Sequence, residues 1–202
     1  MKIVKYDMPD GFLDKAKSCV EDICSKPNVQ DKTVPTVPVV SFWNMNDNGK
    51  RLYNRPEFND YLTFVKPHIQ DYLKELGISE DEAIVTAMWG VHYKPTQFVG
   101  KHNHTYNDYK KSPHKFKTPN DVLAVLLYLN KPENSGNLFI ELSDGSEKEI
   151  DTGAGDVIMF PSMLYHWTSP NNSQESKYVL GIEIIMKWST DDKLIGKTIG
   201  EL

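Results

Sequence analysis

Val122-Leu-Ala-Val-Leu-Leu-Tyr-Leu129 and Lys177-Tyr-Val-Leu-Gly-Ile-Glu-Ile-Ile-Met-Lys187 are two apolar runs rich in β-branched, leucine and aromatic side chains. Three more segments share their character: Ile84 to Tyr93, Leu138 to Leu142 and Asp156 to Phe160. Each has the length of a strand, and clusters of Pro, Gly, Asn and Ser separate them. No helix-length segment alternates with these runs, which disfavours a parallel sheet with crossover helices. The expected architecture is mainly β with flanking helices, an antiparallel sandwich or jelly roll.

Helical periodicity is confined to the first 82 residues. Phe12, Ala16, Cys19, Val20 and Ile23 recur at i, i+4, i+7, i+8 and i+11, one stripe of a helix with Cys19 on its buried side. Thr33-Val-Pro-Thr-Val-Pro-Val-Val follows as an extended connector, because its prolines oppose helix. A second helix is predicted from Pro56 or Glu57 to Leu76, with Phe58, Tyr61, Leu62, Val65, Ile69, Tyr72 and Leu73 on one face and Gly77 as its stop. Pro67 inside that span predicts a kink or a break. The expected organisation is residues 1–82 as supporting helices and connector, and 83–202 as the β core, in one compact unit.

Composition narrows the functional classes. The chain has 202 residues, with 23 Lys and Arg against 28 Asp and Glu, a net charge of −5. A nucleic-acid binder would normally carry a basic surplus, so no nucleic-acid partner is expected. No apolar run approaches the roughly 20 residues that span a bilayer, and the N-terminus lacks the apolar core of a secretion signal. Cys19 and Cys24, five apart in one helix, read as reduced thiols. The expectation is a cytoplasmic protein without a membrane partner; the oligomeric state is not legible.

Among the six histidines, His102 and His104 are separated by one residue. In a strand that spacing puts both rings on one face, close enough to chelate one ion. His166 lies sixty-odd residues further on, and in a jelly roll such distant segments meet across the barrel. Two ligands from one segment and one from another form a facial set with open positions, suited to Fe(II) and oxygen chemistry. On spacing alone, three unrelated polar histidines at a sheet edge are the favoured reading, because an isolated H-x-H is a weak pattern.

The surroundings of these histidines resemble a known family. Tyr93-Lys-Pro-Thr-Gln-Phe-Val-Gly-Lys-His-Asn-His104 is similar to the Tyr-x8-His-x-Asp segment of the prolyl 4-hydroxylase-like, 2-oxoglutarate- and Fe(II)-dependent dioxygenases. Val125-Leu-Leu-Tyr-Leu-Asn130 and Ser135-Gly-Asn-Leu-Phe-Ile140 resemble their core strands. Gly155-Asp-Val-Ile-Met-Phe-Pro-Ser162 and His166 resemble the approach to their distal histidine, and Lys177 stands where a Lys or Arg holds the cosubstrate. The resemblance runs from about Ile84 to Trp188, and its nearest form is that of bacterial and phage oxygenases with H-x-H in place of H-x-D.

That resemblance implies a double-stranded β-helix of cupin-like type, with His102, His104 and His166 as metal ligands. It implies Lys177 on the distal carboxylate of 2-oxoglutarate, Tyr93 and Tyr128 beside it, and Fe(II), 2-oxoglutarate and O2 as cofactors, with ascorbate a further candidate. His104 departs from the family, whose usual ligand there is a carboxylate; Asp108 is the other candidate, four residues on. Hydroxylation of a peptide or small-molecule C–H bond is the default reaction. Two rivals stand: a three-His oxygenase of the cupin type without 2-oxoglutarate, and a non-catalytic jelly-roll binding module. The loop from Thr105 to Asn120, with Lys110, Lys111, Lys115 and Lys117, reads either as a lid that steers anionic substrates or as a solvated connector. Trp89 and Trp167 read as packing, and Gly136 and Gly155 as tight turns.

Overall fold

A computed structural model describes residues 2–5, 8, 11–25, 40–43, 55–104, 123–186 and 197–202. Ten strands lie among them: β1 (Lys2–Lys5), β2 (Val40–Trp43), β3 (Ala83–Tyr93), β4 (Leu123–Tyr128), β5 (Leu138–Glu141), β6 (Glu147–Ile150), β7 (Asp156–Pro161), β8 (His166–Thr168), β9 (Lys177–Met186) and β10 (Lys197–Thr198). The larger sheet runs β1-β7-β4-β9-β3-β10, with β2 also on β3, and the smaller runs β6-β5-β8. All the pairings are antiparallel. The expected jelly-roll class is what the chain adopts. All five predicted strands are present, and the five extra ones are short: β6 is polar, β1 and β2 lie in the segment read as helix and connector, and none exceeds four residues.

Strand parity divides the molecule into two cores. Leu123, Val125 and Leu127 of β4, Val157 and Met159 of β7, and Leu180, Ile182 and Ile184 of β9 face the helices. The alternate residues Ala124 and Tyr128, Ile158 and Phe160, and Val179 face the smaller sheet, where they meet Leu138, Ile140 and Ile150. Runs that read as continuously apolar are therefore strands buried on both faces.

Two helices cover the outer face of the larger sheet. Helix α1 (Phe12–Ser25) buries Phe12, Ala16, Val20, Ile23 and Cys24. Cys19, expected on the buried side, is only half-buried, whereas Cys24 is buried and its thiol pKa is pushed up to about 12 by that burial. Helix α2 (Asn59–Glu75) follows a 3-10 turn at Pro56–Phe58. It ends as predicted at Gly77, whose φ of 72° lets the Ile78 amide donate to the Leu73 carbonyl at 2.9 Å. Pro67 does not break it: α2 is one helix through that residue. Pro67 and Thr63 both lie on its exposed face, so the Thr63 carbonyl that loses its amide partner can be hydrated. The lysine loop from Thr105 to Asn120, including Asp108, lies outside the described residues, as does the connector from Thr33 to Val39.

One close approach fixes the inner surface. Gly181 of β9 is paired with Trp89 of β3, and a Cβ at Gly181 would run into the indole of Trp89. Gly181→Ala is expected to cost about 1–3 kcal/mol through overpacking, read from urea unfolding. In a Gly181→Ala/Trp89→Phe double variant the loss should be smaller than the sum of the two single losses. Strict additivity would mean that the indole is not what the new methyl group meets.

Candidate metal centre

The segment carrying His102 and His104 is sewn to the start and end of β8 by backbone hydrogen bonds. His102 and His166 exchange a reciprocal pair, at 3.0 and 2.8 Å, and the His104 amide donates to the Ser162 carbonyl at 2.9 Å. Further along, the Thr168 amide donates to the Val99 carbonyl at 3.0 Å and the Asn171 amide to the Gln97 carbonyl at 2.9 Å. A regular strand was expected here; the segment instead makes a single bridge at His102. One reason is visible at Val99, whose amide donates to the Thr168 hydroxyl, a side chain, at 2.9 Å. The two rings nevertheless converge, because the bonds at residues 102 and 104 hold their backbone against the His166 segment.

His102, His104 and His166 each offer a ring nitrogen, and these atoms lie within 4.8 Å of one another. The opposite nitrogens are spoken for. Nδ1 of His102 faces the Gly100 carbonyl and Nδ1 of His166 faces the Leu164 carbonyl, both at 2.8 Å. A carbonyl can only accept, so these contacts put the protons on Nδ1 and leave the Nε2 lone pairs directed inward. Nε2 of His102 and Nε2 of His104 are 3.3 Å apart. Two nitrogens each about 2.0–2.1 Å from one ion are separated by roughly 2.8–3.4 Å for octahedral to tetrahedral angles, so the spacing fits a shared cation. Burial lowers the pKa of His102, and lowers that of His166 further with help from the two neighbouring rings. Both therefore stay neutral, the form that ligates metal.

His104 is held differently. Its Nδ1 lies 3.5 Å from Oε1 of Glu183, which is 1% exposed on β9. The Trp89 indole meets its ring edge-on, with centroids 5.7 Å apart, and Phe160 meets His166 in the same way at 4.9 Å. Glu183 was not among the residues singled out from the sequence, and the reading of Trp89 as packing omits its contact with a candidate ligand. The signal was available: Glu183 is the one acidic residue inside a ten-residue strand whose every position is buried.

Lys177 lies on the same face of β9 as Val179, Gly181 and Glu183 by strand parity. Its side chain is fully buried, with Nζ 4.4 Å from the centre of the Tyr93 ring and donating to the Gly136 carbonyl at 3.2 Å. Burial, reinforced by Lys131, pulls its pKa down to about 7. Tyr93 and Tyr128 are also buried in this inner core, and burial raises both their pKa values, so their hydroxyls remain protonated donors. Thr168 beside Tyr93 and Thr152 beside Tyr128 partly offset that rise. Gly136 holds this corner: at φ 78° its missing Cβ would strike the Ser169 carbonyl. Asn171, fully buried, donates to the Tyr93 and Glu175 carbonyls at 3.0 and 2.8 Å and so braces the turn before Lys177. A buried lysine with its Nζ over the Tyr93 ring carries a charge that an anion could pair with.

The fold recurs in known structures. A prolyl-4-hydroxylase of Pseudomonas putida aligns over 92% of both chains with a TM-score of 0.66 at 15% identity. HygX of Streptomyces hygroscopicus, in a structure with nickel, 2-oxoglutarate and hygromycin B bound, aligns over 92% of this chain and 82% of that one, with a TM-score of 0.64 at 10% identity. The viral collagen prolyl hydroxylase of Paramecium bursaria Chlorella virus-1, as a 2-oxoglutarate complex, aligns over 92% and 94%, with a TM-score of 0.57 at 13% identity. The fold is that of the 2-oxoglutarate- and Fe(II)-dependent oxygenases. A scan of protein-family models and a search of curated proteins returned no match. At these identities the likeness to oxygenases speaks to the fold, and the chemistry rests on the residues.

Lys177 separates binding from stability. Its pKa falls from 10.5 to about 7 on folding, so its contribution to stability is present above pH 10.5 and is lost as pH falls towards 7. Lys177→Met should therefore be more stable than the unliganded wild type at pH 7. The gap should narrow by about 2 kcal/mol by pH 9, measured by urea unfolding at both pH values. A variant less stable at pH 7 would mean that the lysine is a structural strut.

Proposed function

We propose that this chain is a non-haem Fe(II)- and 2-oxoglutarate-dependent dioxygenase that hydroxylates a C–H bond of a peptide or small-molecule substrate. The observation that carries this reading is the presence, within one sandwich, of three converging imidazoles and a buried, inward-facing lysine. The shared fold supports it, as do neighbours whose structures hold nickel and 2-oxoglutarate. His102, His104 and His166 would hold the metal through Nε2. Lys177, with Tyr93 and Tyr128 beside it, would take the distal carboxylate of the cosubstrate. Bound there, iron and 2-oxoglutarate supply the oxygen chemistry, in which loss of CO2 from the 2-oxo acid to give succinate accompanies insertion of oxygen into the substrate.

The protein's own part is positional. Carbonyls at Gly100 and Leu164 orient two ligands, leaving no rotation to lose when the metal binds. The apolar walls from Trp89, Ile158 and Phe160 keep water from the interior between metal and lysine. The inward lysine also favours this reading over a three-His oxygenase that needs no 2-oxoglutarate, since such an enzyme has no use for a buried cation.

Protein purified without oxygen should bind Fe(II) and then 2-oxoglutarate in calorimetric titrations, and should release succinate when oxygen is admitted. His166→Ala should lose at least a hundredfold in Fe(II) affinity while keeping its fold by circular dichroism. Lys177→Met should keep Fe(II) affinity and weaken 2-oxoglutarate at least tenfold, as expected for a charge-assisted contact of about 1.5–3 kcal/mol. Metal binding without any 2-oxoglutarate binding would favour the cupin-type rival, and binding of neither would leave only a jelly-roll module.

A further inference from the structure

We infer that Glu183 is the positioning residue of this centre, the carboxylate that the H-x-H segment lacks at residue 104 having moved one residue outward from the ion. The inference rests on the metal centre proposed above and adds a residue to it. Two of the three rings are oriented by backbone carbonyls two residues before them. His104 has Glu183 in that place, 3.5 Å from its Nδ1. A carboxylate opposite Nδ1 holds the proton there, aims Nε2 inward and makes the imidazole a stronger donor to a cation. It also returns to the site the negative charge lost when the family's carboxylate became a histidine.

The surroundings of Glu183 are built for that task. It points into the sandwich at 1% exposure, on the strand that also bears Lys177. Its register partner on β4 is Ala124, a short residue that leaves room for a longer side chain beside it. Trp89, seated against Gly181 two register positions away, meets the His104 ring edge-on. A buried carboxylate is costly unless a partner of opposite charge or a donor faces it, and the His104 ring beside a bound cation is such a partner.

The test is a cycle of variants read by metal affinity. Wild type, Glu183→Gln, His104→Asp and the double variant are prepared metal-free, checked for folding by thermal unfolding, and titrated with Co(II), following its visible absorption band. Glu183→Gln keeps the shape and should weaken Co(II) about 10–100-fold. His104→Asp alone should also bind poorly, because it brings two carboxylates together in a buried site. The double variant should bind at least tenfold more tightly than His104→Asp. The same Glu183→Gln change thus harms the histidine background and helps the aspartate one, a reversal that a merely structural acid would not produce. Should Glu183→Gln fold poorly, Glu183→Asp serves instead, with an affinity between those of wild type and His104→Ala expected. An equal loss in both backgrounds, or no loss in either, overturns the role of Glu183 while leaving the metal centre standing. A wild-type protein that takes up no Co(II) overturns both.

Discussion

The reciprocal backbone hydrogen bonds between His102 and His166 are the contact on which the candidate site depends. They join segments more than sixty residues apart and bring two imidazoles to a centroid separation of 4.3 Å. The His104–Ser162 bond then fixes the third ring, so three side chains converge without any of them contributing to the hydrophobic core. Because the tie is made by main chain, it sets the position of the rings independently of what they bind. The two apolar cores that flank the larger sheet provide the rigidity, and the helices are needed because β4, β7 and β9 all carry an apolar outer face.

Strand β9 carries the electrostatic burden of the fold. It buries a lysine at one end and a glutamate six residues on, both facing the same interior. Neither placement is favourable in an otherwise apolar sandwich, and the two are too far apart along the strand to neutralise each other, about 20 Å at the usual rise per residue. Each instead faces its own neighbour, Tyr93 and the Gly136 carbonyl for Lys177, and His104 for Glu183. A protein selected for stability alone would hold apolar residues at both positions. Two buried charges of opposite sign, held apart on one face, suit an interior that accepts an anion at one end and a cation at the other.

Much of this was legible in the sequence. The long strands showed themselves through composition, and the histidines and Lys177 through the order of four short motifs. What escaped notice has identifiable causes. Strands β1, β2, β6, β8 and β10 have at most four residues, and Glu147-Lys-Glu-Ile150 has no apolar alternation to read. Pro67 was tolerated because it lies on the solvent side of α2, which periodicity could have indicated. Glu183 is inconspicuous in the sequence because a single acid inside an apolar run reads as part of that run, and only its parity sets it apart. Once Lys177 is assigned to the interior, Glu183 must follow, being an even number of residues away on the same strand.

The way the three rings are held also determines how far the centre is open to change. Carbonyl oxygens orient His102 and His166, and every amino acid carries one, so no replacement at Gly100 or Leu164 can delete those acceptors. A side chain faces the third ring. Random substitution therefore has a handle on one ligand of three, and the donor strength of the site can drift or be tuned at position 183 without disturbing the other two. In the proposed centre, metal preference would therefore be most readily altered at position 183.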